Sequence, residues 1–183
     1  MTTNNDIKAI SKFLSFVLRH DPGSIGLALD EAGWASTDEL LGKAAAAGRP
    51  ITRGLLNDVV ATSDKKRFAL SEDGSRIRAN QGHSIDVALG LQPLAPPDIL
   101  LHGTATRFLD SIFSSGLSKR ERHHVHLTED IGIARTVGQR YGAVVLLEID
   151  AKAMQAAGHE FLRSDNGVWL TDHVPARYLK VKP

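Results

Sequence analysis

Residues 67–79 read RFALSEDGSRIRA, and this stretch decides how the first half of the chain folds. Apolar and polar side chains alternate on both sides of residues 72–75, where Glu-Asp-Gly-Ser has the composition of a tight turn. Two alternating segments joined by such a turn predict a β-hairpin, with its strands at 67–70 and 76–79.

Ahead of the hairpin, apolar residues recur at helical spacing in three segments. The first, Ile7 to His20, ends at an Asp-Pro-Gly sequence, because proline cannot donate a backbone hydrogen bond. The second, Ser36 to Ala47, opens on a Ser-x-x-Glu capping box and stops at a glycine. The third, Thr52 to Val60, opens on a threonine that can cap it. Three helices followed by a hairpin are the order of a winged helix, so we expect a winged-helix lobe over residues 1–80.

The second half has a mixed pattern. Residues 81–98 contain three prolines, and we expect them to link two lobes. Beyond them, short extended and helical segments alternate, which predicts a small α+β lobe over residues 99–183. The predicted strands are 99–102, 125–127 and 143–149, with two more flanking a turn at 164–167. The predicted helices are 106–115, which stops at Gly116, and one that Thr128 caps, with Glu129 and Asp130 in its first turn.

Composition excludes several classes of protein. The chain has 183 residues and 42% hydrophobic content, which is enough for one ordinary domain or two small ones. A formal net charge of +1 argues against strong non-specific attraction to nucleic acids, and the absence of cysteine excludes disulfides and thiolate chemistry. The N-terminal sequence lacks the order of a signal peptide, and no apolar run approaches the roughly 20 residues that span a bilayer. We expect a soluble cytoplasmic protein, a monomer, with no membrane contact.

Two short segments concentrate the residues suited to chemistry. Residues 122–126 read Arg-His-His-Val-His, and residues 101–104 read Leu-His-Gly-Thr. Neither segment carries a carboxylate among its polar side chains. Arginine offers a planar fork of donors that matches phosphate oxygens, and histidine titrates near neutral pH. This composition suits an anion, so the residues predict phosphate chemistry on a charged substrate.

The histidines also have other interpretations. His124 and His126 share one face of a strand, as two metal ligands would. No third ligand is spaced for that purpose and the neighbouring Arg122 would repel a cation, so we expect no metal. His102 is either a hydrogen-bonded core histidine or a polar contact to a ribose, with Gly103 letting the backbone approach the ligand.

Further basic residues lie in the first half. Arg19 and His20 end the first predicted helix, where both charges also favour the helix dipole. Arg67 begins the hairpin and, by itself, is an ordinary arginine at a strand edge. Residues 78–84, Arg-Ala-Asn-Gln-Gly-His-Ser, suit either an ordinary loop or a loop that contacts a ligand. The combination of these features in one chain favours the functional interpretation.

Six motifs occur in an order that is typical of one enzyme family. They are Leu-Arg19-His20, Lys-Arg67-Phe68, the 78–84 loop, Leu-His102-Gly103-Thr104, Arg122-His-His124-Val-His126-Leu and Gly167-Val168-Trp169-Leu. With them, the sequence resembles the NAD-dependent RNA 2′-phosphotransferases from about residue 7 to residue 181. Arg120 is a departure, since relatives often have an uncharged residue there, but the Arg-x-His-Val-His spacing selects Arg122.

The resemblance implies a fold and a two-step reaction. Members have an N-terminal winged-helix lobe and a C-terminal ADP-ribosyltransferase-type lobe. An internal RNA 2′-phosphate attacks the C1″ carbon of the nicotinamide ribose of NAD and expels nicotinamide. The ribose O2″ then attacks phosphorus, which yields RNA with a 2′-hydroxyl and ADP-ribose 1″,2″-cyclic phosphate. NAD is consumed as a co-substrate, and the best-known RNA of the family is tRNA with the 2′-phosphate left by splicing.

The resemblance also implies a role for each matched residue. The catalytic residues are Arg19, Arg67 and Arg122, which hold the phosphate, and His20, which contacts the phosphate or handles a proton at O2″. The NAD-binding residues are His102, Gly103, Thr104, His124, His126 and Thr128. The loop on the RNA side contributes Arg78, Gln81, His83 and Ser84. Many ADP-ribosyltransferases use a glutamate near the position of Val168-Trp169, but an acceptor that is already an anion needs no such base.

Other functions compete with this one. A winged helix often places a helix in the major groove of DNA, although the third predicted helix offers only one arginine, one asparagine and one aspartate. The same NAD pocket would serve an ADP-ribosyltransferase that modifies terminal phosphates of nucleic acids or another acceptor. A purely structural RNA-binding module would leave the arginines and histidines without a role.

Overall fold

The structure is a computed structural model that describes residues 4–63 and 65–183. Helices and strands both contribute, which confirms the predicted α+β class. The chain divides into two units, Met1–Gly90 and Leu91–Pro183, and the boundary falls inside the segment expected to link two lobes. Each unit has its own apolar core and is described by itself.

Among its described residues, 4–63 and 65–90, the first unit has three α-helices and three strands. In chain order they are α1 (Asn4–Arg19), β1 (Ala35–Ser36), α2 (Thr37–Ala46), α3 (Arg53–Ala61), β2 (Phe68–Leu70) and β3 (Arg76–Ala79), with a 3-10 helix at Pro22–Ile25. The three predicted helices and the predicted hairpin are therefore all present. The core side chains that they bury include Leu14, Val17, Leu18, Leu40, Leu56, Val59, Phe68 and Ile77.

Side-chain caps set the starts of two of these helices. The hydroxyl of Ser36 accepts a hydrogen bond from the backbone nitrogen of Glu39 at 3.3 Å, as the capping box predicted. The hydroxyl of Thr52 accepts from the backbone nitrogen of Leu55 at 3.2 Å. Gly48 follows α2 with a φ of 75°, a left-handed conformation that glycine adopts without strain.

The hairpin is antiparallel, with Phe68 opposite Ala79. Its turn is ordered by Asp73, whose carboxylate accepts from the backbone nitrogen and hydroxyl of Ser75 at 3.0 and 2.8 Å and from the hydroxyl of Ser71 at 2.6 Å. These hydrogen bonds, that from Ser71 foremost, lower the pKa of Asp73 from 3.8 to about 2. The third strand, β1, pairs with β3 and was not predicted, because two residues are too few to show a period.

The second unit contains eight strands and three helices among its residues. In chain order they are β4 (Ile99–Ala105), α4 (Leu109–Ser115), β5 (Leu117–Ser118), β6 (Val125–Leu127), α5 (Ile131–Gly138), β7 (Val144–Asp150), α6 (Ala151–Ala156), β8 (Leu162–Arg163), β9 (Trp169–Thr171), β10 (His173–Val174) and β11 (Leu179–Val181). Short 3-10 helices lie at Thr106–Phe108, Gln139–Tyr141 and Ala176–Tyr178. No helix in the part of the chain that the structure describes is both long and apolar enough to cross a membrane.

Two three-stranded sheets dominate this unit. One has the order β11-β7-β4, in which β4 pairs with β7 along its whole length. The other has the order β6-β9-β8, and β10 pairs with β5 in a separate ribbon. A β-bridge between Leu101 and Thr128 joins β4 to the end of β6. Because of this bridge, β4, which carries His102, lies beside the end of β6, which carries His126.

The helix α5 packs closely on β4. A Cβ atom on Gly103 would lie 1.7 Å from the carbonyl oxygen of Ala134, and one on Gly138 would lie 2.8 Å from the carbonyl oxygen of Thr104. Both glycines therefore permit an approach of helix to strand that any side chain would prevent. Leu101, Ala134 and Leu146 fill the adjoining apolar layer.

The prediction for the residues after β6 was wrong. Thr128 does not cap α5, because its backbone nitrogen and oxygen bond to Leu101 and keep the chain extended. Asp130 is the cap, and its carboxylate accepts from the backbone nitrogen of Ile133 at 2.8 Å. Glu129 lies outside the helix and accepts from the indole nitrogen of Trp169 at 2.7 Å.

Two other boundaries also differ from the prediction. β4 continues three residues beyond the expected end, to Ala105, because its partner β7 is equally long. The helix expected from Thr106 begins as the 3-10 turn Thr106–Phe108 and becomes α-helical at Leu109. Gly116 ends it as predicted, with a φ of 81°.

Candidate functional site

The first cluster of predicted site residues lies where α1 ends, beside the hairpin. The backbone nitrogen of Ser84 donates to the carbonyl oxygen of Arg19 at 2.9 Å, and the Nδ1 atom of His20 lies 2.9 Å from the hydroxyl of Ser84. The Nη2 atom of Arg19 donates to the carbonyl oxygen of Arg67 at 3.5 Å. Three separate parts of the sequence are thus brought together, and they contribute Arg19 with His20, Arg67, and Ser84.

Arg67 is held through its backbone. Its nitrogen donates to the hydroxyl of Ser63 at 3.3 Å, and its carbonyl oxygen accepts from the backbone nitrogen of Asn80 at 2.9 Å. The register of the hairpin, with Phe68 opposite Ala79, places Arg67 directly opposite Asn80. Arg67 is partly buried, and the two backbone hydrogen bonds fix the point on the hairpin from which its side chain extends.

Two of the remaining residues of the predicted RNA-side loop, Arg78 and His83, lie against other residues of the first unit. The guanidinium of Arg78 lies over the ring of Trp34, 4.7 Å from its centroid. His83 is 2% exposed, and its Nε2 atom lies 3.5 Å from the position that a Cβ atom on Gly33 would take. The Oε1 atom of Gln81 is buried and has no hydrogen-bond partner among the described residues. Of the four predicted residues of this loop, His83 is the one that is buried.

Sequence reasoning missed Trp34 as a neighbour of this loop. The ring of Trp34 also lies 5.3 Å from the guanidinium of Arg76, so two arginines of β3 flank one tryptophan. The alternation of β3 places Arg76 and Arg78 on one face, which is a signal present in the sequence. What the alternation does not reveal is the aromatic partner, which lies some forty residues earlier in the chain.

The second cluster centres on His102 in β4. Its Nδ1 atom donates to the backbone carbonyl of His126 at 3.0 Å, which fixes the proton on Nδ1 in the neutral ring. The Nε2 atom is then a hydrogen-bond acceptor. Burial lowers the pKa of His102 and the charge of Arg122 lowers it further, while the bond to His126 raises it. The net direction is downward from 6.5, so His102 is neutral at neutral pH.

Arg122 reaches the same place from the turn before β6. Its Nη1 atom lies 3.4 Å from the Nδ1 atom of His126, a long contact in which the guanidinium donates. Arg120, the competing arginine, instead lies over the ring of Phe108 with its guanidinium carbon 5.6 Å from the centroid. The structure therefore places Arg122, and not Arg120, beside the histidines.

His124 has different neighbours from His126. Burial lowers the pKa of His124, the charges of His123 and Lys119 lower it further, and the carboxylate of Asp172 opposes them. Lys119 and Asp172 also form an ion pair. Among residues 4–63 and 65–183, no group of three or more His, Asp or Glu side chains is placed to hold a metal ion.

The other predicted NAD-binding residues lie along the junction of β4 and β6. Thr104 is buried, and the hydroxyl of Thr128 accepts from the backbone nitrogen of Asp130 at 3.1 Å. The close packing of α5 on β4 requires glycine at position 103, whether or not a ligand binds there. His102 and Thr104 lie two residues apart in β4 and so share the face opposite to Gly103.

A carboxylate also lies next to this junction and was not predicted to have a partner there. The Oε1 atom of Glu129 accepts from the indole of Trp169 and lies 3.7 Å from the Nη2 atom of Arg163. Arg163 in turn lies over the ring of Trp169. The charge of Glu129 is therefore engaged by an indole and an arginine.

Each cluster can bind a phosphorylated ligand by the chemistry of its donors. Guanidinium groups give charge-assisted hydrogen bonds to phosphate oxygens, and a neutral imidazole with a fixed tautomer accepts a bond from a hydroxyl. The first unit supplies Arg19, Arg67 and the exposed His20, and the second supplies Arg122 beside His102.

Comparison with known proteins agrees with this chemistry. The family model described as RNA 2′-phosphotransferase, Tpt1 / KptA family, matches residues 4–173. A probable RNA 2′-phosphotransferase of Pseudomonas fluorescens is 57% identical over 175 residues, covering 95% of this chain and 96% of the relative. Proteins with the same name from Acaryochloris marina and Agrobacterium fabrum are 54% and 58% identical, covering 96% and 94% of this chain and 97% and 93% of the relatives. The chain therefore belongs to the RNA 2′-phosphotransferase, Tpt1 / KptA family.

Proposed function

We propose that this protein removes an internal 2′-phosphate from RNA by transferring it to NAD, which is consumed as a co-substrate. Membership of the family supports the phosphotransferase activity. The observation that carries the finer proposal is the pair of clusters, one of Arg19, His20 and Arg67 and the other of His102, His126 and Arg122. The proposal takes the first unit as a winged-helix lobe on the RNA side and the second as an ADP-ribosyltransferase-like lobe that binds NAD.

In the first step, an oxygen of the RNA 2′-phosphate forms a bond to the C1″ carbon of the nicotinamide ribose. The bond from C1″ to the ring nitrogen breaks, and nicotinamide leaves as a neutral molecule with that pair of electrons. The transition state has oxocarbenium character, as in glycoside cleavage. Because the nucleophile is already an anion, it needs to be held in line by cations and not deprotonated. We assign this task to Arg19, Arg67 and Arg122.

In the second step, the ribose O2″ attacks phosphorus and the bond from phosphorus to the RNA 2′-oxygen breaks. O2″ loses a proton and the RNA 2′-oxygen gains one, so the products are a 2′-hydroxyl and ADP-ribose 1″,2″-cyclic phosphate. His20 is exposed, at the end of α1, and its Nδ1 atom lies 2.9 Å from the hydroxyl of Ser84. We assign it to the transferred phosphate or to these proton movements.

On the NAD side, the proposal rests on His102 and its surroundings. A neutral imidazole with a free Nε2 acceptor is suited to a ribose hydroxyl, which donates. The lowered pKa of His102 also keeps a second positive charge away from the oxocarbenium-like carbon. We assign Gly103, Thr104, His124, His126 and Thr128 to the same binding region, and Arg78, Gln81, His83 and Ser84 to the RNA side.

The proposed substrate is RNA with a tRNA-like structure, such as the product of a splicing reaction that leaves a 2′-phosphate. The proposal places the reaction in the cytoplasm, where NAD and RNA are both present, and takes the monomer as the active form. No metal ion has a role in it.

A panel of phosphorylated nucleic acids tests the proposal. The protein and NAD are incubated with short RNAs that carry one phosphate, either at an internal 2′ position or at a 5′ or 3′ end. We expect loss of the internal 2′-phosphate, dependent on NAD, with nicotinamide released in equal amount. Stable ADP-ribosylation of terminal phosphates, with the internal 2′-phosphate left in place, would instead establish the alternative transferase.

A further inference from the structure

We propose that Asn80 is a positioning residue that holds the catalytic arginine Arg67, and through it Arg19, in the geometry needed for phosphate transfer. This inference rests on the proposed function, because it concerns how the phosphate-binding arginines are kept in place. Asn80 is 6% exposed, and its position just after β3 puts it directly opposite Arg67 in the extended ladder.

The backbone and side chain of Asn80 hold two consecutive residues, Lys66 and Arg67, which lead directly into β2. Its backbone nitrogen donates to the carbonyl oxygen of Arg67 at 2.9 Å. Its Nδ2 atom donates to the carbonyl oxygen of Lys66 at 2.6 Å. Since a carbonyl oxygen only accepts, the amide nitrogen must face Lys66, and the side-chain orientation of Asn80 is fixed.

The conformation of Lys66 explains why the hydrogen bond from the Asn80 side chain is needed. Lys66 has a φ of 40°, in the left-handed region that side-chain-bearing residues rarely adopt. A strained residue directly before Arg67 persists only where its surroundings determine it. Lys66 also donates its backbone nitrogen to the carbonyl oxygen of Ser63 at 2.8 Å, so the Asn80 amide closes the other side of this turn.

The consequence reaches Arg19 because Arg19 and Asn80 donate to the same acceptor, the carbonyl oxygen of Arg67. The carbonyl oxygen of Arg67 accepts from Asn80 and also from the Nη2 atom of Arg19, at 3.5 Å. A shift of this carbonyl would therefore displace the backbone that carries the Arg67 side chain. It would also displace the acceptor of the Arg19 guanidinium. The side chain of Asn80 needs no contact with the phosphate to affect both arginines.

The test is a double-mutant cycle between Asn80 and Arg67. We expect Asn80→Ala to lower kcat for phosphate transfer by about 100-fold, as a misplacement of order 1 Å does, with KM for NAD changed less than twofold. If Asn80 acts through Arg67, then Asn80→Ala costs less activity in an Arg67→Ala background than in the wild type, and the remaining loss comes from Arg19, whose backbone acceptor at residue 67 is still present. An equal fold-loss in both backgrounds, or wild-type kcat in Asn80→Ala, overturns the inference.

Two further variants separate positioning from general destabilisation. Asn80→Asp keeps the shape of the side chain but removes the donor to Lys66, so we expect it to lose activity as Asn80→Ala does. The matched control is Thr37→Val, which removes another buried side-chain-to-backbone hydrogen bond, from Thr37 to Gly74 at 2.9 Å, at the turn end of the hairpin. A comparable loss of stability with unchanged kcat is expected for this control.

A readout that does not depend on activity keeps the inference separate from the proposed function. The Nε–Hε resonance of Arg67, followed by NMR in the full-length protein, should be sharp in the wild type and in Thr37→Val. We expect it to broaden or shift in Asn80→Asp. An unperturbed Arg67 resonance in Asn80→Asp refutes the positioning role even if the enzyme has another substrate, whereas an inactive wild type with the expected NMR change counts only against the proposed function.

Discussion

At the scale of single residues, the ring nitrogen of His102 that carries the proton determines which ligand groups this histidine can bind. His102 donates from Nδ1 to the backbone carbonyl of His126, and this bond leaves Nε2 as an acceptor. The sequence singles out His102 as a candidate, and it leaves open whether the residue forms a core hydrogen bond or contacts a ligand. The structure shows that the core bond exists and that it uses only one of the two ring nitrogens, so the two interpretations are compatible.

The lowered pKa of His102 predicts how stability depends on pH. In the unfolded chain the histidine takes up a proton around pH 6.5, whereas the folded protein resists protonation until a lower pH. The unfolded state therefore binds more protons in the interval between the two pKa values, and stability rises with pH across it. We expect the free energy of unfolding in urea to fall as pH decreases from 7.5 through 6.5 toward the lowered pKa.

The variant His102→Gln should flatten this pH dependence, because glutamine does not titrate. The control is His159→Gln, at a partly buried histidine that packs against Tyr178 instead. An unchanged pH profile in His102→Gln would mean that His102 is not the group responsible.

The choice between the two nearby arginines predicts a contrast in activity. Arg122→Ala should lower phosphate transfer by about 10- to 150-fold, the loss of a charge-assisted hydrogen bond of roughly 1.5–3 kcal/mol. Arg120→Ala should change it less than about threefold, because Arg120 lies over Phe108 and not beside His126. Single-turnover rates with saturating NAD measure both, and an equal loss in the two variants would contradict the assignment.

The position of His20 predicts an intermediate. In His20→Ala we expect the second step to slow more than the first, so that 2′-phospho-ADP-ribosylated RNA accumulates during a single turnover. Gel electrophoresis with labelled RNA detects this species. A variant that loses both steps in proportion, without the intermediate, would show that His20 serves binding and not the second step.

At the scale of secondary structure elements, the sequence predicts well where a side chain caps a helix and less well where tertiary pairing decides. Ser36 and Thr52 cap α2 and α3 as the local pattern requires. Thr128 looks like a cap, but its backbone pairs with Leu101, a residue that is adjacent only in the folded protein. The cap then falls to Asp130, two residues later.

The same limit applies to the shortest elements. The two-residue strands β1, β5 and β10 carry no period of their own, and they form because partners in β3 and in each other meet them. α6 is a single short helix capped by Asp150, directly after the predicted strand β7, and it was not predicted. For the three strands, the missing information is the position of a distant partner, whereas six residues are too few for α6 to show a helical period.

The surroundings of two glycines, one in β4 and one in α2, predict opposite effects on stability when each is replaced by alanine. Gly103→Ala would place a Cβ atom 1.7 Å from the carbonyl oxygen of Ala134, so helix and strand must separate. We expect it to destabilise the protein by at least about 1–3 kcal/mol, the usual cost of overpacking. Gly42→Ala, within α2 where nothing lies within 4 Å of the added Cβ, should stabilise by about 0.5–1 kcal/mol.

Chemical denaturation of both variants measures these changes. Since His102 precedes Gly103, the Gly103→Ala variant should also weaken NAD binding, whereas the Gly42→Ala variant should leave it unchanged. A Gly103→Ala protein as stable as the wild type would contradict the close contact between β4 and α5.

At the scale of the whole molecule, the sequence predicted two lobes joined by residues 81–98, and the structure has two units. The change of period at the hairpin and the prolines after it predicted a link between two lobes, and the observed boundary between Gly90 and Leu91 lies just before the first of those prolines, Pro93. The order of the motifs identified the family, which comparison confirms. The partners of the site residues, such as Trp34 beneath Arg78 and Asn80 opposite Arg67, required the fold.

The central claim is that the two clusters serve one reaction, in which the same phosphate leaves RNA and arrives on the ribose of NAD. An RNA with a single ³²P-labelled internal 2′-phosphate tests it most directly, with unlabelled NAD and wild-type protein. We predict that the label appears in ADP-ribose 1″,2″-cyclic phosphate, in equal amount to the nicotinamide released and the 2′-hydroxyl RNA formed. Label released as inorganic phosphate, or label that remains on unmodified RNA while NAD is consumed, would contradict the account.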